Sequence, residues 1–493
     1  MEEKTVNEEQ ERPAADAELI RHSEIRNGRF IRYYGKKSEI VIPDSVTAIA
    51  EEAFAGNTHL TRVFVSPRVS VIQSRAFKGC TSLRQISFSS GLREIGEEAF
   101  MGCTELGAVL LPRTVVSIDD GAFRGCTALH HAVLPASVHH IGRFAFCDCQ
   151  ALEELILPEG ITALHRATFF NCRSLKSMRV PETVGAIGRY AFARCSSLEE
   201  IVLPEELQYL GIGAFSECAR LQSVCVPQSI RFIGDYTFSC CENLESVTLP
   251  EELHYIGNAA FCACKSLRAI ELSEHLIRIG HSAFLGCASL TEMHVPERVE
   301  DVARLAFSYC TSLERVQFSA RLTEIEEGLF KGCFALRAFS MPDSVEKLEK
   351  SAFEDCLALS EVTFSQNLKR IEERAFAGCI HLEAISLPAP LQKLEREVFA
   401  DCRALETVIL PDAHVKMEKH VFAGCEGLET LVISDEMVFP RTKGISLGIS
   451  ADVQIVTHAE LLRAALLAEL ASGDTTPERR AELEELLHLK SEE

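Results

Sequence analysis

The chain has 493 residues, 47% of them hydrophobic, and a formal net charge of −22. That acidity argues against nucleic acid or an anionic membrane as ligand and suits the solubility of a long molecule. No stretch reaches the roughly 18 uninterrupted apolar residues of a membrane span, so no membrane insertion is expected.

Residues 1–24 open with MEEKTVNEEQERPAADAE, charged and without an apolar leader. They are expected to be disordered, and the expected compartment is the cytoplasm. Residues 25–42 are expected to form an N-terminal cap. Phe30–Tyr34 and Glu39–Ile42 read as the two strands of a hairpin turning through Gly35–Ser38, with Ile40 and Ile42 in phase with the inward strand positions of the later units.

From residue 43 to 434 one pattern governs the chain. Phenylalanine recurs from Phe54 to Phe422 seventeen times at intervals of 23 residues, without insertion or deletion. Such a period marks a stacked repeat array, in which no coil buries its apolar side chains alone. Six residues after each Phe stands a Leu, from Leu60 to Leu428. The ninth and eleventh are apolar apart from small Ala132, and the fifth before it is Ile, Leu, Val or Met. Apolar residues separated by one, as in Val247-Thr248-Leu249, describe a strand with one face inward, and the Pro that often comes next, such as Pro250, turns the chain. The spacing around Ala-Phe predicts a helix-like or 3₁₀-like segment. The expected fold is an α/β-type repeat solenoid whose strands form a parallel sheet. Residues 435–456 read as a decayed eighteenth unit, with Ile445 in the place of the next Phe. Residues 457–493 read as a helical pair: Thr457-His458-Ala459-Glu460 is a capping box for a helix through about Ala471, and Thr476-Pro477 starts a second with Leu483, Leu486 and Leu487 on one face.

The block Ile42 to Pro67, IPDSVTAIAEEAFAGNTHLTRVFVSP, and each later copy resemble the BspA-like bacterial leucine-rich repeats, also called the Treponema pallidum class. The resemblance spans about Ile40 to Ser434. It implies a curved leucine-rich repeat array and the family's usual roles, adhesion and the binding of other proteins. It also implies a secreted or cell-surface location.

Sixteen of the twenty cysteines stand three residues after the repeat Phe, from Cys80 to Cys425, and Asn57 holds that place in the first unit. An amide and a thiol both make backbone hydrogen bonds, so the column is expected to be a buried ladder of reduced thiols. Disulfides between coils or a metal are the alternatives. A column of identical thiols offers many competing pairings, and the paired CxxC spacing of a zinc site is missing around Cys240 and Cys262. The histidines His130, His131, His139, His140 and His165 lie in neighbouring units and read as solvated loop residues rather than a transition-metal site. The sequence carries no P-loop, no G-x-S-x-G, no H-E-x-x-H and no EF-hand loop. No enzyme, cofactor or metal is therefore expected. The function expected is a non-enzymatic binding or adhesion module with a protein partner. An intracellular scaffold, or an enzyme with a surface-loop site, is the alternative.

Two columns are candidate protein-binding residues. Ten residues after the Phe, alternation points the side chain outward, on the face that leucine-rich repeats present as their concave surface. Most later units are polar there, whereas an earlier stretch reads Leu110, Val133, Ile156, Arg179 and Val202. These either form a contact surface or stabilise their strands. Six residues before the Phe, Tyr209, Phe232 and Tyr255 succeed one another, read as a stacked contact patch or as mutual packing. Lys347, Arg370, Lys393 and Lys416 hold that place near the C-terminal end.

Overall fold

The computed structural model describes residues 17–318, 322–437 and 441–471, with 479–480, 482–483 and 486–487. The chain divides into two compact units. Unit 1 holds the described residues up to Leu253 together with Ala263–Lys265. Unit 2 holds His254–Cys262 and the described residues from Ser266 onward. Both are stacks of one 23-residue coil, about eighteen turns in the chain.

Residues Ala17–Arg21 form a short helix, α1, followed by strands β1 (Ser23–Arg26) and β2 (Arg29–Tyr33). β1 and β2 pair antiparallel. This corrects two expectations. Residues 1–16 lie outside the described residues, but 17–24 form α1 and the start of β1, with Leu19 buried. The hairpin is also one element earlier than predicted. Its turn is Asn27-Gly28, with φ of 49° and 71°, the two left-handed residues that a two-residue hairpin of type I′ demands. β3 (Glu39–Val41) does not pair with β2. It starts a parallel ladder instead.

The coils supply strands to two separate parallel ladders. One holds short strands at the sixth and fifth residues before the Phe, such as β4 (Ala48–Ile49) and β6 (Val71–Ile72). The other holds longer strands after the Phe, such as β5 (Arg62–Phe64) and β7 (Gln85–Ser87). Pairing is in register, Ile49 with Ile72 and Val63 with Ile86. The single sheet predicted is thus only the longer ladder, and it is interrupted. The coil of Leu155–Leu157 keeps one bridge, Glu154 with His131, and residues 269–272 form no strand.

The Phe segment is not helical, contrary to its spacing. In all seventeen coils the residues two before and two after the Phe have positive φ, with side chains as large as Phe144 and Leu305. Left-handed and right-handed residues alternate, so backbone N–H groups alternate in direction. In the coil of Phe77, the N–H groups of Arg75, Phe77 and Gly79 donate to Glu97, Ala99 and Met101 of the next coil, at 2.7–2.8 Å. Those of Ala76, Lys78 and Cys80 donate three residues back within the coil. A helix would satisfy all six inside one coil and leave nothing to join the next. For most L-residues a left-handed conformation costs on the order of 1–2 kcal/mol, which the inter-coil bonds offset.

These turns bring the Phe rings into a stack. Within each unit, rings of adjacent coils lie 4.8–5.9 Å apart and nearly parallel, and Phe30 of the cap joins the stack on Phe54 at 4.8 Å. Beside them runs the thiol ladder. Each of the sixteen column thiols donates from Sγ to the Phe carbonyl of the preceding coil, at 3.0–3.3 Å. Asn57 does the equivalent, donating to Gly35 O at 3.3 Å. None of the twenty cysteines, all of them among the described residues, forms a disulfide.

At the C-terminal end the phase slips. Helix α2 (Arg441–Leu447) replaces the Phe turn, and Ile445, predicted at the Phe position, is 76% exposed while Leu447 is buried. Gln454–Thr457 pairs in parallel with Thr430–Ile433, 24 residues apart rather than 23. Helix α3 (His458–Ala471) starts on the predicted capping box: Thr457 N donates to Glu460 Oε2 at 2.8 Å, and Glu460 N to Thr457 Oγ1 at 3.2 Å. Residues 472–478, where the second helix was predicted to begin, lie outside the described residues. Leu483 is buried and Leu486 exposed.

In unit 2 a zigzag of charges rides on the short strands. Lys347 Nζ lies 2.6 Å from Glu349 and 3.0 Å from Glu372; Lys393 lies 2.9 Å from Glu395 and 2.8 Å from Glu418, and Arg370 joins Glu395. The most enclosed carboxylate of unit 2 is Glu354, 2.7 Å from both Lys331 and Arg374. Burial would raise its pKa, yet the bonds from Lys331 and Arg374 outweigh burial and hold it below the ordinary value. Its contribution to stability therefore holds above the ordinary carboxylate pKa and fades as pH falls through the native one. Glu354→Ala is expected to cost about 2 kcal/mol at pH 7 in a urea titration, with the difference shrinking in acid; a pH-independent loss would point to packing alone.

Candidate functional site

The outward position of the long strand is set by its neighbours. In Ala108–Leu110 and His131–Val133 the middle residues Val109 and Ala132 are buried, so Leu110 and Val133 face solvent, and they sit side by side in register. Ile156 takes the same place in the next coil without a strand of its own and is 86% exposed; Leu110 is 61% exposed. Arg179 and Val202 form the next registered pair, both exposed. Cys225 occupies the same position one coil on and is also exposed, a residue that the sequence pattern did not single out. All six lie in unit 1.

Tyr209, Phe232 and Tyr255 are exposed and belong to the other ladder, so they do not extend this face. Tyr209 and Phe232 line a shallow cleft of about 260 Å³ with Gln208, Ile212 and Arg231. Tyr255 belongs to unit 2. The histidines give one close pair, with the rings of His140 and His165 5.6 Å apart. Burial, reinforced by His140, lowers the pKa of His165. Among the described residues no three His, Cys, Asp or Glu side chains gather into a group able to hold a metal ion. No helix among them is long and apolar enough to cross a membrane.

On unit 2 the long-strand face is polar from Glu271 to Ser386. Glu271, Glu292, His294, Arg315 and Gln317 line an open groove of about 990 Å³, and Arg315 and Glu292 pair at 3.2 Å. The two units thus offer chemically different versions of one strand position.

Parallel 23-residue coils, each with a buried leucine and phenylalanine and all but the first with a buried thiol, define a leucine-rich repeat solenoid. The chain belongs to the family described as the BspA type leucine rich repeat region (6 copies), which matches residues 23–150, 117–245, 231–360 and 323–440. A leucine-rich repeat protein from Bacteroides ovatus has a similar structure, with a TM-score of 0.57 and 24% identity over 87% of this chain and 94% of that one. The Treponema pallidum leucine-rich repeat protein is 35% identical over 34% of this chain and 82% of its own, with a TM-score of 0.33. A leucine-rich cell surface protein from Faecalibacterium prausnitzii is 22% identical over 80% and 92%, with a TM-score of 0.39. No curated protein matches the sequence.

Proposed function

We propose that the chain is a non-enzymatic protein-binding module whose contact surface is the long-strand face of unit 1, centred on Leu110, Val133 and Ile156. The observation that carries this is the run of exposed aliphatic side chains in one column, with Ile156 86% exposed. Folded proteins normally keep such contiguous apolar surface covered unless it serves contact. The polar long-strand face of unit 2 supports the reading by contrast, since the same coil geometry there carries Glu, His and Gln. A buried thiol ladder bonded to backbone carbonyls, as from Cys195 and Cys218, suits a reducing compartment, where an intracellular scaffold or assembly subunit is the natural form of such a module.

The test replaces Leu110, Val133 and Ile156 together by Ser or Thr. Circular dichroism is expected to be unchanged. Proteins captured by the wild-type chain from its own-cell lysate and from extracellular matrix are expected to be lost, with affinity falling on the order of tenfold or more for a mapped partner. Unchanged capture with a lower melting temperature would reduce the column to strand stabilisation.

A further inference from the structure

We propose that the stretch of this face from Ile156 to Val202 takes a cationic amphipathic segment of a partner protein, one presenting aliphatic side chains flanked by lysine or arginine. This rests on the reading of the face as a binding surface and adds the charge of its occupant. The apolar column there runs between carboxylates. On one side Glu154 and Glu200 occupy the outward strand position two residues before Ile156 and Val202. On the other, just past the proline that ends each strand, Glu159, Glu182 and Glu205 repeat at one position in three consecutive coils, roughly 4.8 Å apart if they keep strand spacing. All five are exposed. Among the described residues none has an ion-pair partner within 4 Å, and the only bond there to any of these carboxylates is the one that Glu182 accepts from Glu205 N at 3.2 Å.

Glu274 and Glu297 repeat this acidic turn position in unit 2, but there the neighbouring strand face is polar, with Glu271 and His294 where Ile156 and Val202 stand. The close carboxylates of unit 2, Glu349, Glu372, Glu395 and Glu418, are threaded with Lys347, Arg370 and Lys393. Around Ile156 the nearest lysine, Lys176, is already held by Glu153 at 2.7 Å, which leaves Arg179 as the one cation of the column. Like charges at such spacing repel, and the repulsion is relieved by cations brought from outside. A partner that covers Ile156 must pass between these carboxylates. A neutral or acidic segment would bring no countercharge to them, and an acidic one would add repulsion.

Arg179 gives the charge assignment a distinctive sign. It stands between Ile156 and Val202 in the column, so against a cationic segment it is a repulsive element. Removing it should tighten binding, the reverse of the usual effect of losing an arginine at an interface.

The probes are three short labelled peptides of equal leucine content, alternating with lysine, glutamate or serine, titrated by fluorescence anisotropy against the full chain at low and high salt. The leucine–lysine peptide is expected to bind best. The combined variant Glu159→Gln, Glu182→Gln, Glu205→Gln should weaken it on the order of tenfold at low salt, with a smaller difference at high salt. Arg179→Gln should tighten it several-fold, and Ile156→Ser should weaken it. If the glutamate or serine peptide binds equally well and Ile156→Ser weakens it, the face stands and the charge assignment is overturned. If Arg179→Gln weakens the lysine peptide, the charge assignment is likewise overturned. If Ile156→Ser changes no peptide, the face itself is excluded for all three, and any lysine-peptide binding left is unspecific attraction to an acidic protein.

Discussion

Phe192→Ala is expected to destabilise the protein by about 3–5 kcal/mol, the largest effect of any single substitution proposed. Phe192 is fully buried and stacks between Phe169 at 5.4 Å and Phe215 at 5.6 Å. Truncation opens a cavity that the turn cannot close, because Phe192 N is fixed to Ala214 O at 2.8 Å in the next coil and the Phe192 carbonyl accepts both Cys195 N and the Cys218 thiol. Each coil depends on its neighbours, so the damage should spread along the stack before it spreads around it. Urea unfolding followed by circular dichroism measures the loss. Hydrogen exchange should show fast exchange concentrated in the coils of Phe169, Phe192 and Phe215. A loss below 1 kcal/mol, or exchange spread evenly along the chain, would mean that the ring column does not hold the coils together.

The second large effect is alkaline unfolding. Burial pushes the Cys195 thiol from its ordinary value near 9.0 up to about 12, and Cys126 and Cys310 likewise. Below pH 9 the thiol is protonated in both states and its hydrogen bond contributes fully. Above pH 9 the unfolded chain releases the proton while the folded one keeps it, so stability falls until the pH passes about 12. Each such thiol adds a slope of up to about 1.4 kcal/mol per pH unit, and burial raises fourteen thiols of the column in this way, which makes the fall steep. Denaturant titrations at steps from pH 7 to 10.5 should show it. Cys195→Ser keeps a donor to Phe169 O but does not titrate, so its slope should be shallower by one proton. An identical slope in the two proteins would mean that the ladder does not drive the transition. At neutral pH, thiol reagents should reach exposed Cys225 at once and the ladder only after denaturation.

The architecture was legible because the repeat samples each environment seventeen times. Positions that are always Phe, Leu or Cys declare themselves buried, and Asn57 in the thiol column already pointed to a backbone hydrogen bond. What the sequence hid are features set by the backbone alone. The left-handed residues beside each Phe range from Gly56 to Leu305 and Tyr309, so no shared chemistry marks them. The short strands are two residues long, too short for alternation to show. The hairpin was misplaced because Gly35 drew the turn, although Asn27-Gly28 carried the stronger signal. Of the candidate face, the outward direction of Leu110, Val133, Ile156, Arg179 and Val202 came from alternation. Its acidic flanks did not, because Glu159 and Glu205 look like ordinary solvated turn residues until the coils are stacked. Tyr209 and Phe232 were read correctly as exposed, but nothing in the sequence said that they ride on a different ladder.

The alternation of N–H groups along the Phe turn makes the array directional. The turn always donates forward: Tyr33 N of the cap to Ala53 O, Arg75 N to Glu97 O, and at the far end His420 N and Phe422 N to Ser446 O and Leu447 O. Outside the turn donation also runs backward, as from Gln73 N to Ile49 O and from Arg84 N to Thr61 O. Within the Phe turn itself, a cut on the amino side of a coil strips carbonyls of partners, which a buried backbone tolerates more readily; a cut on the carboxyl side strands N–H groups, which it tolerates least. A ribosome releases the chain amino end first, so the newest turn is always the one still waiting for its acceptors. Only the arrival of α2 ends the wait, which makes that helix the stop signal of a vectorial assembly.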